Sequence, residues 1–268
     1  MENEKALRNF LLYSYLGIIP EDIYNKNKPE YQKNNIDDFR DYCTKKVIIK
    51  AYSDATNEGA FNTLFKKGIP NIDELKTLSD KAKKESVKLL FAELMNYDNK
   101  YNFDEWHNKL CKKIVDNYRE VKVAEQKFFT YGNAQKWTNM TLKYLWLLGL
   151  LPNCIREEDL HIPVDSFIID ALWEDNSIYL PLKDEKTKRN SIYQQPSNYV
   201  KPWSQWNYEE DYKPFRESIR GKYTLVWENS EWIKKAEHRK NKSITKKDTV
   251  WKTHSPRSDG DKRHTISR

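Results

Sequence analysis

The sequence predicts an all-α fold, on three observations. Apolar residues return every three or four positions through segment after segment, the spacing of one helical face. Asparagine or aspartate stands just ahead of several of those segments, where a helix needs a cap. And only 7 glycines occur in 268 residues, which argues against an all-β chain or a glycine-rich phosphate loop as the main feature.

The elements follow in order. Ile36, Phe39, Cys43 and Val47 share one helical face, with Asn35 positioned as its cap. Ser79 precedes a segment in which Val87, Leu90, Phe91 and Leu94 repeat at helical spacing. Asn102 caps a third helix, whose Phe103, Trp106, Leu110, Ile114 and Tyr118 form a stripe. The next helix starts near Asn133 and turns Trp137, Met140, Tyr144, Leu145 and Leu148 inward. After Pro163, Asp165 opens a helix that runs through Trp173, and two late helices are expected over 208–220 and 226–237. Between them, 174–206 holds three prolines and no sustained period, so it reads as a long excursion with a short hairpin. Nothing repeats internally, and no linker divides the body.

The net charge of +7 belongs to the end of the chain. From Lys234 to Arg268 there are 12 Lys/Arg and 4 Asp/Glu, which leaves a sum of −1 for everything before. Residues 238–268 lack aliphatic periodicity and are expected to be a basic, disordered tail, either solvated or bound to polyanions. Residues 1–237 are expected to form a single, mainly helical domain. No stretch approaches the roughly 18 apolar residues of a membrane span, and the opening MENEKALRNF does not read as a signal peptide. Cys43, Cys111 and Cys154 are widely spaced and match no disulfide framework, zinc site or iron–sulfur site. A reducing cytoplasm is the expectation, with no metal and no cofactor.

Two stretches carry the chemistry: YGNAQKWTNMTLKYLWLLG at 131–149 and HIPVDSFIIDALW at 161–173. Gly132 permits a backbone closed to other residues and Ala134 allows close approach, so 131–137 reads as a hairpin entering a helix. Its free amides suit a phosphate. Lys136 then falls in the first turn, near the positive end of the helix dipole and against aromatics, which disfavours its charged form. An amine so placed can become a Schiff-base nucleophile; a lysine on an apolar helix also commonly snorkels to water. Asp165 is a good N-cap, and Val164 and Ile169 occupy the positions of a hydrophobic staple. Capping alone explains the residue, and it also aims the carboxylate.

Taken together, Gly132-x-Ala134-x-Lys136, an apolar helix, a loop and Pro163-Val164-Asp165 opening another helix resemble the helix-hairpin-helix DNA glycosylase superfamily. The 29-residue step from Lys136 to Asp165 is long for that superfamily. It looks most like the archaeal 8-oxoguanine DNA glycosylase branch, as do Gln135-Lys136, Ile162-Pro163-Val164-Asp165 and Trp173. The resemblance spans about residues 105–235 and is motif-grade at 131–145 and 161–173. It implies a two-subdomain helical fold and a monomer that binds double-stranded DNA with one base flipped out. Gly132, Asn133 and Ala134 would grip the DNA backbone, Lys136 would attack the sugar C1′, and Asp165 would assist. LVWENSEW at 225–232 resembles a family segment whose acid and tryptophan help hold the flipped base, with Glu228 where aspartate is expected and Trp232 at the aromatic. Gln135 and Trp137 complete the expected substrate contacts, and Trp137, Trp203 and Trp206 are available for stacking.

The resemblance thus implies a glycosylase with AP lyase activity on an oxidised or modified purine such as 8-oxoguanine. Ala134 in place of a second glycine and the longer acid at 228 depart from the pattern, and the departure at 228 leaves the base open. Two other readings stand beside it: the same scaffold as a non-catalytic nucleic-acid-binding or anti-phage module, and an ordinary helical interaction protein. Retention of both Lys136 and Asp165 favours the enzyme, since binding alone needs neither.

Overall fold

The computed structural model describes residues 2–17, 39–56, 71–98, 100, 102–123, 126–127, 129–184, 196–235 and 237. The expected Asn35 cap, Ile36 and the basic tail at 238–268 lie outside the described residues. What is described is mostly helical: α1 (Glu2–Leu16), α2 (Phe39–Thr56), α3 (Ile72–Met95), α4 (Phe103–Asn117), α5 (Tyr131–Leu147), α6 (Ser166–Leu172), the single turn α7 (Pro196–Tyr199) and α8 (Lys213–Ile219). A further helix, α9, covers 225–235. Among the described residues the extended structure consists of a short antiparallel pair, β1 (Lys122–Val123) with β2 (Gln126–Lys127), in which Lys122 is in register with Lys127, and an isolated bridge between Leu182 and Val200.

Helix α5 is the axis of the molecule. Trp137, Leu142 and Leu145 on it are fully buried, and α2 lies along it with Cys43, Val47, Ile48 and Ala51 turned inward. Helix α4 covers another side with the expected stripe: Phe103, Trp106, Leu110, Ile114 and Tyr118 are all buried. Its start is as expected, for the Asn102 side chain accepts the Glu105 N–H at 3.2 Å. One continuous core runs from Leu12 on α1, a helix the periodicity did not reveal, to Leu225 on α9.

Three expectations are corrected. Helix α3 begins at Ile72, seven residues before Ser79, which is buried in mid-helix. Its first turns carry Ile72, Leu75 and Leu78 at the same three-residue step, all half-buried, with Leu78 packed against the core. Helix α5 begins at Tyr131 rather than Asn133. Thr130 caps it by accepting from the Asn133 N–H, while the Asn133 side chain accepts from the Thr130 N–H at 3.2 Å. This reciprocal box makes 131–137 helix from the outset, so there is no hairpin there; the β1–β2 pair lies upstream. The helix expected over 208–220 is present, and it opens with a π-turn, Tyr208–Tyr212, before α8.

The end of the bundle is tied by ions. Asp104 on α4 accepts from His161 Nε2 at 2.5 Å and lies 3.3 Å from Arg216 Nε and 3.2 Å from Arg220 Nη1. Burial works against the Asp104 carboxylate, but the His161 hydrogen bond and the two arginines outweigh it and hold it well below the usual range. Burial pushes His161 down to about 4, against the pull of Asp104. The unfolded chain takes up this proton near pH 6.5, whereas the folded chain excludes it until about pH 4. The stability that neutral His161 represents is therefore present above pH 6.5 and is lost as pH falls to 4, by about 3 kcal/mol. Thermal unfolding across that window should show the loss, with a shallower slope in His161→Gln.

Candidate active site

The first half of α5 is pinned from outside by the returning end of the 174–206 excursion. The Gly132 N–H donates to the Trp206 carbonyl at 3.0 Å, and Thr130 Oγ1 donates to the Ser204 carbonyl at 2.5 Å. Gly132 has no left-handed backbone. It is glycine for contact: a Cβ there would overlap the Trp203 carbonyl oxygen, with Trp203 C and Ser204 Cα also crowding it. Helix propensity alone favours alanine by about 1 kcal/mol, but the obstacle is backbone held by hydrogen bonds. Gly132→Ala should therefore lose roughly 2–3 kcal/mol of stability, read by thermal or urea unfolding.

That arm carries Trp203 across α5 and sets its ring over Lys136, with Nζ 4.5 Å from the ring centroid. On the other side Asp165 caps α6, its Oδ1 accepting from the Phe167 and Ile168 amides at 2.9 and 3.1 Å. Val164 and Ile169 are both buried, as a staple requires. The second oxygen, Oδ2, faces Lys136 Nζ at 3.5 Å and accepts the Trp232 indole N–H at 3.0 Å. Trp232 is 39% exposed and meets Phe167 edge to face, so α9 supports the Asp165 carboxylate directly. Burial, foremost, lowers the affinity of Lys136 for its proton; Asp165 most of all, then Asp54 and Glu228, act the other way, and burial prevails.

Lys136 and Asp165 open into a cleft of about 620 Å³ between α5, α2 and α9. A second lysine projects from α5 into it. Lys143, two turns after Lys136 on the same face, holds Glu228 Oε2 at 2.5 Å, and both side chains are nearly sealed from water. Burial raises the Glu228 carboxyl and Lys143 partly offsets that. Across the cleft, Asp54 on α2 accepts from Tyr144 Oη at 2.8 Å and from Lys50 Nζ at 2.7 Å. The N-terminal hundred residues thus supply one wall.

The structure brings together Lys136, Asp165, Glu228 and Trp232 of the expected site residues. It removes the others. Trp137 is fully buried, with its indole N–H on the Ile48 carbonyl at 2.9 Å and Tyr52 against its ring. Gln135 is equally buried and bonds the Gly132 carbonyl at 2.9 Å, away from the cleft. Gly132, Asn133 and Ala134 are covered, and their amides are taken by Trp206, Thr130 Oγ1 and the Thr130 carbonyl, so no DNA backbone reaches them here. Trp206 is core, donating to the Lys201 carbonyl at 2.9 Å; Trp203 alone of the three stacking candidates stands at the site. Lys143 was missed, although its seven-residue step from Lys136 was a visible sign. Nothing local announced Asp54.

Among the described residues no group of three or more His, Cys, Asp or Glu side chains could hold a metal. No helix among them is long and apolar enough to cross a membrane. The chain finds no match among protein-family models, curated proteins or solved structures.

Proposed function

We propose that the protein is a DNA glycosylase with AP lyase activity, acting through a Schiff base on Lys136, on a helix-hairpin-helix glycosylase-like two-subdomain scaffold. The observation that carries this is the meeting of a desolvated lysine with a fixed, helix-capping carboxylate at 3.5 Å at the edge of a cleft with room for a base. A target nucleotide turned out of duplex DNA presents C1′ to Lys136. The neutral amine forms the Nζ–C1′ bond as the bond from C1′ to the base breaks, and the base leaves with the electron pair. Asp165 stabilises the positive charge that grows on the sugar and takes part in removing the amine proton. Sugar-ring opening gives the imine, from which loss of the 2′ proton expels the 3′ phosphate.

A base seated in the cleft would meet Lys143 and Glu228, which line it farther along α5. That pair offers a donor and an acceptor side by side, which suits an oxidised or otherwise modified purine with both functions on one edge. Asp165 and Lys136 are paired, and the cation–π contact with Trp203 further favours the ammonium. Substrate entry must therefore release the lysine from these partners.

Borohydride trapping on duplexes carrying a panel of lesions, 8-oxoguanine among them, tests the reading. A trapped complex whose adduct maps to Lys136 is expected. Duplex binding with no adduct on any lesion would instead assign the chain to a non-catalytic nucleic-acid-binding or anti-phage module. Neither binding nor adduct would leave an ordinary helical interaction protein.

A further inference from the structure

Beside the cleft, on the flank of α5 next to the Lys136 face, runs a buried chain of polar side chains that the proposed chemistry does not use. Asn139, fully buried, lies at its centre. Its Nδ2 is within donor reach of Gln135 Oε1 at 2.9 Å, Tyr212 Oη at 3.1 Å and the Ile162 carbonyl at 3.2 Å, and its Oδ1 meets His107 Nε2 at 2.7 Å. Tyr212 Oη meets His161 Nδ1 at 2.9 Å, and His161 Nε2 meets Asp104. One proton arrangement runs through these links, with the two Asn139 Nδ2 hydrogens shared among its three acceptors. Asn139 donates to Tyr212, the Tyr212 hydroxyl donates to His161 Nδ1, neutral His161 donates through Nε2 to Asp104, and His107 donates to the Asn139 oxygen.

The ends of this chain bracket the reacting pair. Gln135 and Asn139 stand one residue before and three after Lys136. His161 and Ile162 stand four and three residues before Asp165, and 161–164 run without a turn, wholly buried, into the α6 cap. An apolar core of similar volume would hold these elements at comparable or greater stability, but it would not select one relative position of α5 and the 161–164 segment. A satisfied buried polar network does, because any sliding leaves donors and acceptors unpaired in a low-dielectric interior.

We propose that this chain is a crossbar that sets the separation of Lys136 from Asp165, with Asn139 as its central positioning residue. It rests on the reading of Lys136 and Asp165 as the reacting pair, yet its first readout needs no DNA. Acetylation of each lysine by acetic anhydride, read by peptide mass spectrometry, reports how tightly Lys136 is held. In Asn139→Leu and in Tyr212→Phe the acetylation of Lys136 should rise about fivefold or more, with exposed Lys76 and Lys88 unchanged. Thr141→Val supplies the control. Thr141 is on the same helix and equally buried, and its hydroxyl meets no partner among the described residues; it should leave Lys136 as in the wild type.

On an accepted lesion duplex, the crossbar variants should form the trapped complex about 10–100-fold more slowly, with duplex affinity unchanged. Should Asn139→Leu fail to fold, Tyr212→Phe, which loses one oxygen, carries the test alone. Unchanged Lys136 acetylation in the folded variants, or an equal rise in Thr141→Val, overturns the crossbar. A selective rise in acetylation with no trapped complex in the wild type upholds the crossbar and overturns the Schiff-base reading instead.

Discussion

Replacing Lys136 by glutamine is expected to eliminate the borohydride-trapped complex and to slow base release by roughly 10³-fold or more, with duplex binding retained. Glutamine keeps much of the side chain's reach but its amide cannot attack C1′. The fold should survive, because removing a largely desolvated amine leaves Asp165 still bonded to the Phe167 and Ile168 amides and to the Trp232 indole. Asp165→Asn is the companion experiment. Asparagine caps a helix about as well as aspartate, so thermal stability should move little, while the single-turnover rate falls by about 10²–10⁴-fold. Were Asp165 only a cap, rate and stability would both stay near wild type. The rate of the wild type should rise with pH through a midpoint below that of an ordinary lysine, since burial lowers the proton affinity of Lys136.

The second large effect is on stability. Glu228→Ala should cost about 3 kcal/mol, the lower part of the range for removing one member of a buried ion pair. The loss arises because Lys143, with its side chain 8% exposed, is left without its counter-ion. The lower part applies because the pair lines the cleft, and Lys143 can extend its ammonium toward water there. The double variant Lys143→Met/Glu228→Leu should recover to within about 1 kcal/mol of wild type, since apolar replacement of both partners avoids the stranded charge. Urea unfolding measures both. If the pair also reads the base, the double variant will be stable yet slow on its preferred lesion. A fully active double variant would confine the pair to a structural role.

Much of the local structure was legible in the sequence by itself. The helical nature of the described residues, the stripe from Phe103 to Tyr118, the Asn102 cap and the Asp165 cap with its Val164–Ile169 staple positions all follow from interactions within one or two turns. Lys136 and Asp165 were paired on the strength of the resemblance, and the structure sets their side chains 3.5 Å apart. Only the tertiary structure decided which faces those helices turn to which neighbours. Gln135 and Trp137 flank Lys136 in sequence, yet a helix advances about 100° per residue, and the packing of α2 and α4 takes both into the core. Gly132 is required by Trp203, 71 positions later, rather than by a turn of its own. Lys143 finds Glu228 across 85 positions, and Tyr144 finds Asp54 across 90. Capping and periodicity are short-range and leave their mark in neighbouring residues; the charge pairs and aromatic walls of the cleft arise where distant segments meet, and no local pattern records them.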